Sequence, residues 1–473
     1  MSEVRLNILE DEAILAIHRA TLDVLERVGV DFHNEEALAI LKRGGARVEG
    51  EPVRFPEKLV EGSLESCPRS VILRARNPKH DVQLGSGRVH YANGFGAIYI
   101  SDGSTGEYRP ATQDDLRAFV TLCDYLDNLH MVVMEILPQD VPSSRAHLVG
   151  SAILLSHTDK HVIVAAEGAQ DMEALMVLTD LVRKETGAHE PVFSTGTTTT
   201  SPLIFDANAL TKLVQAAARS IPFHITCGAM AGATAPITLA GTLVVQNAEV
   251  LAGVALAQLV NPGTPVLYGT FASVIDMHNG TYVNGGPEIS MMNAVTAQLC
   301  RMYGLPLGYG TAGSVDSPLV DFQAGLEKTL GILLCALAGA DLIHDSLSGQ
   351  VGQSLSSSFG QMLLSDEVCN MVNRVIGGIR VDEESLALDV IAALGPGAEF
   401  MSSEHTLRHF REELFFPQLL NRTTVVRWKE SEGMTALERA EERAKEIIAA
   451  HRPNGLDGKI QRAMSDLIDR FCP

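Results

Sequence analysis

Short apolar runs alternate with longer amphipathic stretches over most of this chain, and that rhythm constrains the fold before any single residue does. The runs MVVMEILP (131–138), HVIVAAEG (161–168), PVFSTGT (191–197), PFHITCG (222–228), PVLYGTF (265–271), LPLGYGT (305–311) and ADLIHDS (340–346) have the length and texture of strands buried on both faces. Between them, DMEALMVLTDLVRKETG, NALTKLVQAAARS, NAEVLAGVALAQLVN, ISMMNAVTAQLCRMYG and QAGLEKTLGILLCALAG carry helical periodicity. Strand and helix alternating every ~30–40 residues predict βα units on a parallel sheet. With an eighth strand expected near AEFMSS (398–403), the pattern predicts an α/β fold, a closed TIM (β/α)8 barrel. The alternative is an open doubly wound sheet, which usually shows a glycine-rich phosphate loop; no G-x-G-x-x-G opens a helix here.

The ends of the chain have a different texture. Residues 8–30 place Ile14, Leu15, Ile17, Leu22, Leu25 and Val28 at helical spacing, a second helix is expected over 34–43, and the pieces VILRAR, VQLG and VHYANGFGAIYISD between 50 and 108 are expected to be strands. Residues 434–473 predict two charged amphipathic helices separated by RPNG, lying on the outside or across a subunit interface. The expected organisation is an N-terminal helix and strand cap over 1–110, a barrel over 111–430 and a C-terminal helical tail over 431–473.

Composition narrows the partners. The chain has 473 residues and a net charge of −21, which opposes the counterion-release binding of nucleic-acid proteins and attraction to an anionic membrane. No stretch approaches ~20 uninterrupted apolar residues, and the charged N-terminus lacks a signal-peptide core, so a membrane span is not expected and the cytoplasm is. Seven scattered cysteines suit reduced structural thiols better than a disulfide framework.

In a barrel of this type, active sites form where strands end and loops begin. The predicted strand ends are Glu167-Gly168, Thr195-Gly196-Thr197, Cys227-Gly228, Tyr268-Gly269-Thr270, Tyr309-Gly310-Thr311 and His344-Asp345. His344 is expected where an apolar strand emerges into a cavity, on the floor or wall of a central funnel, though a lone histidine is as readily a satisfied hydrogen-bonder. Phe95, Tyr99, Phe205, Tyr268, Phe271, Tyr282, Tyr309 and Phe359 gather near the predicted mouth, where ring faces would attract a quaternary ammonium; core packing is the favoured reading for each taken singly. HTLRH (405–409) spaces two histidines for zinc, but Glu404 precedes them instead of following, no cysteine pair is spaced for zinc, and no metal site is expected. There is no G-x-S-x-G elbow for hydrolysis and no lysine at a strand end for a Schiff-base aldolase.

Long strings add a family resemblance. TGTTTTSP (195–202), 228–269, VDFQAGLEK, GQVGQSLSSSFGQMLLSDE, 395–419 and SDGSTGEYRPATQDDLRAFVTLCDYLDNL together resemble the trimethylamine methyltransferase family across most of the chain. The resemblance implies a barrel enzyme that moves a methyl group from a methylated amine to cob(I)alamin carried by a separate corrinoid protein, with no cofactor tightly bound to this chain. Founding members insert pyrrolysine; this sequence has only standard residues and resembles the branch lacking it, whose substrates include quaternary amines such as glycine betaine. The replaced position is sought in 310–325.

The candidate catalytic residues are His344 and Asp316, and the candidate substrate-binding residues are Phe95, Tyr99, Tyr268, Tyr309, Gly349, Gln350 and Phe359. His344, Gln350 and the backbone N–H groups of Gly349 and Gly352 are expected to hold a betaine carboxylate. Proline betaine, carnitine and γ-butyrobetaine remain alternative substrates, a non-catalytic quaternary-amine-binding barrel is a further alternative, and a homo-oligomer is expected.

Overall fold

The computed structural model describes residues 4–471 apart from 51, 188, 189 and 432. Eight parallel strands close into a barrel in strict chain order: β1 (His90–Ala92), β2 (Leu129–Val133), β3 (His161–Ile163), β4 (Phe193–Thr198), β5 (Phe223–Cys227), β6 (Val266–Thr270), β7 (Leu307–Thr311) and β8 (Leu342–His344). A helix follows every strand, from Gln113–Tyr125 after β1 to Phe359–Ile376 after β8. Five of the eight strands lie within the predicted runs, and two more, β2 and β4, overlap theirs.

The eighth does not. Residues 398–403 form a largely exposed turn ahead of the helix Glu404–Glu413, and the missing stave is β1, which pairs with β8 on one side and β2 on the other. The barrel therefore begins inside the segment expected to be a separate cap. A strand was expected here, within VHYANGFGAIYISD, but three residues, His-Tyr-Ala, are too few to show a periodicity that would mark it as a barrel stave instead of a cap strand. The 50–108 segment likewise contains a helix, Glu57–Ser66, among its expected strands.

Alternation along each stave decides which side chains face in. Outward residues such as Val132, Val162, Phe193, Ile225, Tyr268 and Ile343 join the main core with the surrounding helices. Inward residues Ala92, Met131, Val133, Ile163, Leu267 and Leu342 form a separate cluster with Val71, Leu73, Val82 and Leu84. Those last four belong to a hairpin of Val71–Leu73 and Val82–Leu84, which plugs the amino end of the barrel. Asp341, just ahead of β8, accepts the Gly85 N–H at 2.7 Å and ties the plug down.

The helix Leu239–Val260 is apolar and long enough, by length and composition alone, to cross a membrane, yet it is buried between the barrel and the N-terminal helix Asp11–Arg27. That sandwiching explains why it lacks a polar face. Of the two C-terminal helices, Ala436–Ala450 packs Ala440, Ala444 and Ile447 on Phe359–Ile376, and Gly458–Phe471 lies on the helices after β2 and β3. Both sit outside the barrel, as their amphipathic pattern predicts.

Two small sheets rise over the carboxyl mouth. One joins Tyr99–Ser101, Tyr108–Pro110, Gln350–Val351 and Ser356–Ser357; the other joins Met230–Ala231, Ser273–Asp276 and Thr281–Val283.

Candidate active site

An open cleft of about 460 Å³ lies at the carboxyl ends of the strands. Its walls come from Val133 of β2, the 163–167 stretch ending β3, Gly196–Thr198 of β4, His224 and Thr226 of β5, Phe95 after β1 and Phe271 after β6. Asn208 and Lys212, one helical turn apart on Ala207–Ala218, add a polar edge. The size falls within the ~300–1,000 Å³ common for small-molecule sites.

A stack of polar side chains fills the lumen at and beneath the cleft. His161 Nδ1 lies 2.7 Å from the Arg74 carbonyl, and Ser194 Oγ lies 3.0 Å from both His161 Nε2 and His224 Nε2. A carbonyl can only accept, so neutral His161 carries its proton on Nδ1. Its Nε2 then accepts from Ser194, whose oxygen accepts from His224. Burial lowers the His224 pKa to about 3, helped by the neighbouring His161 and His344, and burial lowers His161 to about 4. Both imidazoles are neutral near pH 7.

His344 ends β8 fully buried, with Nδ1 2.8 Å from Asp345 Oδ1. Asp345 has a left-handed backbone (φ 61°), and its other carboxylate oxygen accepts from Ser314 Oγ at 2.6 Å. Burial raises the Asp345 pKa, but His344, Ser314 and Lys328 outweigh it and hold the carboxyl below its ordinary value. His344 is thus brought beside His224 but is not part of the cleft wall, which differs from the expectation that it faces the cavity. The turn after β8 is held against the end of β1, the Asp345 and Leu347 N–H groups donating to the Asn93 and Ala92 carbonyls, and His344 is buried beneath it.

The carboxylate that organises the mouth is Glu135, which nothing in the strand-end reading singled out. Fully buried two residues beyond β2, it accepts from Gly94 N–H (2.8 Å), Asn93 Nδ2 (3.1 Å), Ser348 Oγ (2.9 Å), Gly349 N–H (2.8 Å) and Ser357 Oγ (2.8 Å). It therefore locks the loops after β1 and β8 together. A glutamate inside the apolar run MVVMEILP was the available signal, because a buried carboxylate is costly unless donors surround it.

The remaining predicted residues separate into those at the cleft and those elsewhere. Phe95 lines it, its carbonyl held by Gln350 Nε2 at 2.9 Å. Gln350 and Gly349 are thereby engaged within the protein, and the Gly352 N–H donates to the Ser317 carbonyl. Asp316 accepts the N–H groups of Asn284 and Gly285 at 2.8 and 2.9 Å, so it staples two mouth loops and does not face the cleft. Tyr268 points outward, its hydroxyl 3.1 Å from Asn247 Oδ1, because residue 268 lies on the helix-facing side of β6. Tyr99 packs on Tyr108 and Phe359 stacks on Phe119 at 4.2 Å, both away from the cleft. Tyr309 belongs to β7, but its side chain lies outside the described residues. Phe271, from the wider aromatic set, does line the cleft.

Among the described residues no cluster of three or more histidines, cysteines or carboxylates is placed to hold a metal; His405 and His409 pack against each other beside Glu384 on the surface. The six described cysteines are all buried and free.

Comparison with known proteins fits this architecture. A family model described as trimethylamine methyltransferase (MTTB) matches residues 2–471. The chain is 36% identical over 463 residues to a trimethylamine methyltransferase MttB of Desulfitobacterium hafniense (strain DSM 10664 / DCB-2), covering 97% of this chain and 92% of that protein. It is 34% identical over 469 residues to a glycine betaine methyltransferase of Desulfitobacterium hafniense (strain Y51), covering 98% and 96% respectively. Among solved structures, the hydroxylamine MtmB complex superposes with a TM-score of 0.55 at 12% identity, over 99% of this chain and 90% of that one, a likeness of fold.

Proposed function

This chain belongs to the trimethylamine methyltransferase family, and from that premise we propose that it moves a methyl group from a quaternary amine, glycine betaine in the first instance, to cob(I)alamin carried by a separate corrinoid protein. In this reaction the Co(I) electron pair forms the cobalt–carbon bond, the C–N bond breaks, and its electron pair stays on nitrogen, releasing dimethylglycine. A quaternary nitrogen already carries its charge, so no general acid is needed to make it a leaving group. The protein has to hold one methyl toward the open mouth and limit water around it.

The observation that supports this reading is the electrostatic character of the cleft floor. His224 lines it as a neutral imidazole, and Phe95 and Phe271 bring aromatic rings to the lining. A cationic methyl donor meets no positive charge at these three residues, and the one lysine of the lining, Lys212, stands apart from them on the β4 side. The ring contacts are worth ~0.5–2 kcal/mol each. Contacts of this strength capture the cation without holding it so firmly that loss of its charge in the transition state becomes costly. His344 and Asp345 fit a positioning role behind His224, setting its environment without touching substrate.

A cleft of about 460 Å³ leaves room for a longer betaine, so proline betaine, carnitine and γ-butyrobetaine form the second reading. Anaerobic incubation of the protein with free cob(I)alamin and each amine separates these, with conversion to methylcobalamin followed by its absorbance. Glycine betaine is expected to give methylcobalamin and trimethylamine is not. Turnover of trimethylamine alone, or of none of the panel, overturns the proposal. The corrinoid partner is proposed to dock over the two mouth sheets, in the cytoplasm.

A homo-oligomer is part of the same reading. From residue 377 to 418 no described residue is buried, and Ile379, Val381, Leu388, Met401 and Leu407 are largely exposed over a segment that holds three short helices. Short helices are marginal alone, so a covering surface is expected.

A further inference from the structure

The cleft holds one lysine that makes no ion pair among the described residues. Lys212 is 9% exposed on the cleft wall, and its Nζ donates to the Ala166 carbonyl at 2.9 Å. It is the only lysine or arginine among the described residues lining the cleft, and no described carboxylate lies within ion-pair distance of it. Glu167, Asp206 and Asp171 act on it only from a distance, and desolvation lowers its pKa against their pull. An ammonium with one protein acceptor retains two N–H donors. A buried charge left in that condition is costly until an anion pairs with it. Asn208, exposed one turn earlier on the same helix and making no side-chain hydrogen bond within the described chain, supplies an amide donor beside it.

We infer that Lys212, assisted by Asn208, is the anchor for a carboxylate on the substrate, and that the cleft is therefore built for a zwitterionic betaine instead of a bare methylated amine or choline. The inference rests on the quaternary-amine reading above and adds the group that selects within that class. The topology agrees with it. Lys212 follows β4, whereas Phe95 and Phe271 follow β1 and β6, three and two staves away around the barrel. A molecule carrying opposite charges at its two ends can lay its carboxylate on the β4 side and its ammonium between the rings and the neutral floor. The chain carries a net charge of −21, which repels simple anions, but a zwitterion has no net charge to be repelled. The role expected for Gly349 and Gln350 falls to Lys212 because those two are already bonded to Glu135, Phe95 and the residue 135 backbone.

The test is calorimetric binding of three probes to the full-length protein: glycine betaine, its methyl ester and tetramethylammonium. Wild type is expected to bind glycine betaine at least tenfold more tightly than the ester, which keeps the quaternary nitrogen and lacks the charge. Lys212→Met is expected to weaken glycine betaine by ten- to a hundredfold and leave tetramethylammonium unchanged or tighter; Lys212→Arg should recover part of the loss. Equal binding of betaine and ester by wild type overturns the anchor even if Lys212→Met does not fold. Equal betaine affinity in folded Lys212→Met overturns it as well, with methyl transfer to cob(I)alamin intact and the wider reading standing. If wild type binds none of the three probes, the quaternary-amine reading itself fails, and the anchor with it.

Discussion

His224 and His161 are kept neutral inside the barrel, and that has a measurable cost in acid. The unfolded chain takes up protons on both near pH 6.5, while the folded chain resists until about 3 and about 4. Between those values the unfolded state binds more protons, so stability is complete above pH 6.5 and falls as the pH drops, by about 1.4 kcal/mol per pH unit for each histidine. Urea midpoints measured from pH 6.5 to 5 are expected to decline more gently in His224→Asn than in wild type, by close to one proton's worth of slope. An unchanged slope would mean the imidazole is not buried as described. Glu135 makes a second residue-scale case. Glu135→Gln keeps the shape but turns an amide toward donors that need an acceptor, and should cost about 1–3 kcal/mol in urea unfolding. Neither role shows in composition. Histidines in strand runs and a glutamate in an apolar run were visible, but His224 meets its partner Ser194 only across neighbouring staves, and Glu135 draws its donors from residues 93–94 and 348–357.

At the scale of elements, helix packing on the barrel is close enough to be tested with one carbon atom. A Cβ on Gly331, in the helix Phe322–Leu337, would sit 1.9 Å from the Ala312 carbonyl oxygen at the end of β7. Gly331→Ala is expected to destabilise by about 1–3 kcal/mol. In the same helix nothing lies within 4 Å of a Cβ on Gly325, and Gly325→Ala should be neutral or stabilising by about 0.5–1 kcal/mol. The two thermal midpoints compare the sites directly, and similar shifts would contradict the packing. Strand β1 gives a larger test. A chain beginning at residue 111 lacks β1 and the hairpin plug, leaving β8 and β2 with open edges; it is expected to be aggregated or unfolded by circular dichroism and gel filtration. The other seven strands were legible because their runs are buried on both faces. β1 was expected as a strand of the cap, and its place in the barrel was not legible because three residues carry no period.

The whole molecule presents one further expectation, the association of the exposed 377–418 region. Sedimentation velocity at micromolar concentration is expected to show an oligomer, and replacing Leu388 and Leu407 by serine should shift it toward monomer; a wild-type monomer removes the expectation. Most of the molecule's plan was already present in its linear pattern. Alternation of apolar strands and amphipathic helices fixed a parallel closed sheet, because each βα unit must bury a two-faced strand beneath a one-faced helix. What the tertiary structure alone decided is which side chains meet. It turned Tyr268 outward, sealed His344 behind the wall, tied Gly349 and Gln350 to Glu135 and Phe95, and set Lys212 against the cleft. A one-residue change in which face of a strand or helix looks inward is small in sequence terms but exchanges lumen for core, and only the closed barrel fixes that choice.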